Sequence, residues 1–100
     1  MKPVFLRPGA AKDVQDGWTW YEKERMGLGT EFLRELERMA DRISEIPEMY
    51  PVFRRGARRA TLRRFPYSVI CRETADCIWI VAVFHAKRNP AILQKRWETD

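Results

Sequence analysis

Apolar residues change their spacing along this chain, and each change marks an element. Residues 2–7 centre on Val4, Phe5 and Leu6, bounded by Pro3 and by Pro8-Gly9, and predict a first strand. From Gly9 the spacing becomes helical. Ala11, Val14, Trp18 and Tyr21 recur at three and four residues and share one face. Gly17 weakens that helix by up to about 1 kcal/mol and leaves room for another backbone to come close. The helix should end before Gly27-Leu28-Gly29. A second helix then runs to about Ser44, with Phe32, Leu36, Met39 or Ala40, and Ile43 as its stripe and Leu33 widening it. Glu31 with Arg34, and Glu35 with Arg38, are opposite charges three residues apart. Pro47 stops this helix, because the residue before a proline is pushed out of the α region. Two helices joined by a glycine-rich turn make a helical hairpin.

Residues 47–56 read as a loop. Three strand-like segments follow. Residues 57–65 alternate, with Ala60 and Leu62 on one face and Arg59, Thr61 and Arg63 on the other. Residues 67–73 are rich in β-formers, 74–76 reverse the chain, and 77–85 are nearly all apolar. Such a run suits a central strand covered on both faces. Cys71 and Cys77 flank the reversal and are expected to face each other as buried thiols, not as a disulfide. After Asn89-Pro90, residues 91–98 predict a short helix or tail. The order is β-α-α-β-β-β. It predicts one α+β domain over residues 1–100, with the hairpin packed on one face of a small antiparallel sheet.

Charge adds a partner to this picture. The formal net charge is +5, which favours an anionic counterpart. Arg54, Arg55, Arg58, Arg59, Arg63 and Arg64 concentrate that charge within eleven positions. Their mutual repulsion would be relieved by an acidic protein segment, favoured here over the phosphates of a naked nucleic acid. The segment itself lacks the interleaved aromatics of a single-strand platform. Trp20 lies off the core face of its helix and is a candidate interface residue, as is Trp97 in the tail.

His85 with Lys87 and Arg88 is a candidate acid/base cluster, or else a strand end beside solvated loop cations. One histidine and two cysteines make no metal-ligand pattern, so neither metal nor cofactor is expected. No apolar run nears the ~20 residues of a membrane helix, and the first residues lack a secretory h-region. The expected compartment is the cytoplasm, with no membrane partner.

Three words carry a family resemblance. They are WYEKERMGLGTEFLREL at 20–36, IPEMYPVFRRGARRATLRRFPYSVICRE at 46–73 and IWIVAVFHAKRNP at 78–90. In this order and spacing the chain resembles a ParE-type toxin of the RelE/ParE toxin–antitoxin superfamily. The resemblance implies a small toxin held inactive by a cognate antitoxin that is acidic in its C-terminal segment and whose other end binds operator DNA. Operator DNA would then be met only through the antitoxin. RelE-like members cut mRNA on the ribosome, and ParE-like members poison DNA gyrase.

Two departures separate this chain from the cutting branch. Tyr67, led by Phe65-Pro66, stands where that branch commonly has an arginine. The last ten residues, AILQKRWETD, hold neither the tyrosine nor the histidine that contributes to cleavage. ParE-like chains also resemble this one in the FH-x-x-R word at 84–88. The leading expectation is a non-catalytic gyrase inhibitor, with Arg54–Arg64, Arg88 and Trp97 as places to seek the binding surface. The alternatives are an endoribonuclease using Arg59, Arg63, His85 and Arg88, and a member that has lost toxicity and only pairs with its antitoxin.

Overall fold

A computed structural model describes residues 1–87 and 95–96. In chain order the elements are β1 (Val4–Leu6), α1 (Pro8–Glu24), α2 (Leu28–Glu45), a 3-10 turn (Pro47–Met49), β2 (Arg58–Thr61), β3 (Tyr67–Glu73) and β4 (Ile78–His85). The expected β-α-α-β-β-β order is therefore present. The strands form one sheet in the order β1-β4-β3-β2.

That sheet is mixed. β2–β3 and β3–β4 are antiparallel, as their short connections require, but β1 lies parallel to β4. A parallel neighbour needs a long crossover, and the two helices supply it. The hairpin loops that predicted antiparallel pairing constrain only β2 to β4.

The helices pack on one face of the sheet. Phe32, Met39 and Ile43 of α2 meet Ala60, Val69, Ile78, Ile80 and Val83 in the main core. Burying a side chain such as Ile43 contributes about 2 kcal/mol. α1 presents a different line from the one its spacing suggested. Ala10, Asp13 and Gly17 are buried, while Ala11 is exposed and Val14 and Tyr21 pack at the core edge.

The close approach at Gly17 involves a ring. A Cβ there would lie 2.7 Å from Phe32 Cε2. The close backbone is instead at Gly29, where a Cβ would meet the Trp18 carbonyl oxygen at 2.8 Å. At the hairpin turn, Gly27 has φ 87, in the left-handed region that glycine enters freely. The Glu22 carboxylate accepts the N–H groups of Gly27 and Gly29 at 2.9 and 3.0 Å, so an α1 side chain caps α2.

The expected pairs of Glu31 with Arg34 and Glu35 with Arg38 do not form. Glu31 holds Arg25 and Arg64 instead, at 3.1 and 2.6 Å. Those hydrogen bonds, Arg64 first and then Arg25, pull its pKa down. Glu35 turns inward, and one oxygen accepts the backbone N–H groups of Arg63 and Arg64 at 2.7 and 3.3 Å. Its Oε1 has no partner among the described residues.

β2 is shorter than residues 57–65. Beyond Thr61 the chain turns inward, burying Leu62 and Phe65. Cys71 and Cys77 do not face each other. Cys71 is buried opposite Ile80, and Cys77 lies in the turn.

Candidate functional site: an arginine-covered sheet face

β4 contains an extra residue. Ile70 pairs with Ala82 and Cys71 pairs with Ile80, so Val81 is bulged out of the ladder. A bulge shifts the alternation by one. Trp79, Ala82 and Phe84 face away from the helices, while Val83 and His85 face toward them. Unbroken alternation from Trp79 would have turned His85 outward.

Side chains serve the backbone groups of β4 that lie past the end of β1, whose pairing stops at Leu6 opposite Ile80. Asp13, 8% exposed, accepts the Val83 N–H at 2.9 Å. Arg96 donates to both Asp13 oxygens at 2.9 and 3.2 Å and to the Val81 carbonyl at 2.8 Å. Asp13 carries no role in the sequence reading, although it falls in line with Ala10 and Gly17. A carboxylate in a row of small residues is the available signal.

The bulge separates the groups of the nuclease alternative. Arg59 pairs with Ile70 on the outer face, where its Nε donates to Ser68 Oγ at 3.0 Å. His85 is on the helix side, edge-on to Tyr67 at 5.2 Å. Its Nδ1 accepts the Lys87 N–H at 3.1 Å, which leaves Nε2 to carry the proton of the neutral ring. Arg63 lies in the 62–66 connection, exposed, with its backbone on Glu35. Arg88 lies outside the described residues, as does Trp97.

His85, Tyr67, Asp16, Lys87 and Trp20 instead line an open cleft of about 380 Å³ beside α1. Trp20 is 60% exposed, as its place off the core stripe implied. Phe65-Pro66-Tyr67 is a plug for the core. Phe65 and Tyr67 meet Phe32 at 5.3 and 5.0 Å and Tyr21 at 4.8 and 6.0 Å. Burial, then the neighbouring Tyr67, raises the Tyr21 pKa.

The six clustered arginines divide. Arg58 is structural, donating to the Tyr50 carbonyl at 2.6 Å. Arg64 is tied to Glu31. Arg54 and Arg59 belong to the outer face, lying over the Phe53 ring at 5.4 and 5.3 Å, and Arg55 is exposed in the same loop. Arg59 also covers Phe84 at 5.7 Å.

The loop carrying Phe53 folds over this face by Phe53–Ala57 and Arg54–Ala57 backbone bonds of 2.7 Å. Arg72 pins it by donating to the Arg55 carbonyl at 3.1 Å. Arg7 lies 4.4 Å over Trp79, which contacts Phe5. Aromatic interleaving, absent from the arginine segment itself, is thus assembled from β1, β4 and the loop. Arg7, Arg72 and Trp79 carried no sequence signal, because they join the cluster only through the sheet.

A second feature is apolar. Val4, Leu6, Val14, Leu33, Leu36 and Ile80 line a groove of about 210 Å³ between the helices and the β1 edge. Among the described residues, no group of three or more His, Cys, Asp or Glu is placed to hold a metal ion. No described helix is long and apolar enough to cross a membrane.

Comparisons with known proteins follow the same lines. A family model described as ParE toxin of type II toxin-antitoxin system, parDE, matches residues 4–90. No curated protein matches the chain. A solved structure described as the chromosomal ParDE TA system from P. aeruginosa is similar at a TM-score of 0.75 and 18% identity, covering 85% of this chain and 96% of that one. At that identity the likeness speaks for the fold.

Proposed function

Because the chain belongs to the ParE toxin family of type II toxin–antitoxin systems, we propose that it inhibits DNA gyrase by binding, without catalysis, and that a cognate antitoxin neutralises it in the cytoplasm. The observation that carries the non-catalytic reading is the placement of Arg59 and His85 on opposite faces of the sheet. Cleavage of RNA needs a base, a phosphate clamp and an acid converging on one scissile bond. Two of the four candidate groups are divided by the sheet itself.

The antitoxin docks in the apolar groove beside β1. Leu6 is 45% exposed there, and apolar anchors of a partner segment have a lined cavity to fill. Trp20, exposed at the cleft beside α1, is left as a contact for the target.

Purified gyrase assayed for supercoiling, beside a translation reaction monitored for mRNA cleavage, tests the reading. Lost supercoiling with intact mRNA is expected. Cut mRNA with unaffected gyrase overturns it, and neither effect with antitoxin binding retained leaves a chain that only pairs.

A further inference from the structure

We propose that the outer face of the sheet docks the sugar–phosphate backbone of duplex DNA directly. Charge in this chain is segregated by layer. Residues 13–48, which form most of the helical layer, hold ten acids and five bases. Residues 49–72 hold seven arginines and no acid. On the outer face and in the loop that folds over it, Arg7, Arg54, Arg55 and Arg59 have no carboxylate partner among the described residues. Three of these four lie over aromatic rings. A ring beneath a guanidinium restricts its motion yet leaves edge N–H donors for an outside oxygen.

The choice among polyanions follows from what the face hides. Ile70, Ala82 and Phe84 are 0%, 1% and 6% exposed, so an acidic peptide finds no cavity for apolar anchors at the centre. A single strand binds by stacking its bases on open rings. Here guanidiniums lie over Trp79, Phe53 and Phe84, and only Phe5 at the β1 edge is left as an exposed ring among the described residues of this face. A duplex turns its bases inward and presents phosphates, so it needs only cations spaced across a surface. Arg7 leaves the end of β1, at one edge of the sheet, and Arg59 lies on β2, at the other. Three strand spacings separate these edges, roughly 14 Å, close to the ~12 Å width of a major groove.

The inference stands apart from the identity of the target enzyme, because duplex is offered alone. Fluorescence anisotropy would follow the purified chain binding a short labelled duplex, a single strand of equal length and a glutamate-rich peptide, each over a series of salt concentrations. Duplex should bind most tightly, with a log–log salt slope of roughly −3.6, about −0.9 for each of four phosphates neutralised. Replacing Arg54→Gln and Arg55→Gln together should flatten the slope by about one per arginine. The charge-matched pair Arg34→Gln and Arg38→Gln, exposed on α2, should leave it unchanged. Thermal melts would confirm that both variants fold. Equal losses in the two variants, tighter binding of the strand or the peptide, or no binding of the duplex would each overturn the proposal.

Discussion

Asp13 and Arg96, 83 residues apart in the chain, form a two-point ion pair in the bulge of β4, with side chains only 7% and 16% exposed. The pair fastens a described part of the C-terminal segment to the first helix. It also supplies partners for the Val81 carbonyl and the Val83 N–H, which lie past the end of β1. Breaking a buried pair from one side strands a charge, so Arg96→Met should cost about 3 kcal/mol in urea unfolding. Adding Asp13→Asn to that variant should cost less than the sum of the single changes. Strict additivity would mean that the two groups do not act as a pair.

The helical crossing depends on two absent side chains. Gly17→Ala gains about 1 kcal/mol in helix propensity but drives a Cβ into the fully buried Phe32 ring. Overpacking of this kind typically costs 1–3 kcal/mol, and a net loss of stability is expected. Gly29→Ala should be worse, because the Trp18 carbonyl it meets is backbone and cannot swing aside. Melting temperatures of the two variants give the order directly.

Cys71 sets an alkaline limit. Burial pushes its thiol from the ordinary 9.0 to about 11, more than the neighbouring Arg58 pulls it down. A thiol raised in the folded state keeps its proton while the unfolded chain loses one. Stability should therefore be intact below pH 9.0 and fall as the pH rises toward about 11. Tyr21, also raised, adds to the fall at the upper end of that window. Cys71→Ala should lessen the decline, and in the native protein iodoacetamide should label Cys77 well before Cys71. Equal labelling rates would contradict the burial.

Trp20 and His85 share a cleft but should differ in consequence. On the binding reading, Trp20→Ala weakens gyrase inhibition by an amount typical of an exposed aromatic anchor, about 2 kcal/mol or roughly thirtyfold in half-maximal concentration. His85→Ala leaves inhibition within a few-fold. If His85→Ala abolished inhibition while leaving the fold and antitoxin binding intact, a chemical role for the imidazole would return.

Much of this molecule is written in its local periods. The α2 stripe and the bounds of β3 were legible because strong amphipathy and alternation act over many residues. The direction of β1 was not, since a crossover of two helices leaves it undetermined by any neighbouring turn. Nor was the side on which His85 lies. Counting forward from the Thr74–Cys77 turn places it outward until Val81 is known to bulge, and the groups that reach the bulge come from Asp13 and Arg96. The arginine cluster was visible as a string of charge. Its division into clasps and open cations depended on Glu31, the Tyr50 carbonyl and rings brought in by other strands.

The acid-free stretch and the acid-rich helices also make the molecule a dipole, oriented across its two layers. In the field of a polyanion such a body turns before it touches. The helical layer is repelled and the sheet is drawn forward, so a larger share of encounters arrives in a productive orientation. Association should then be fast at low ionic strength and slow steeply as salt shortens the range over which that torque acts.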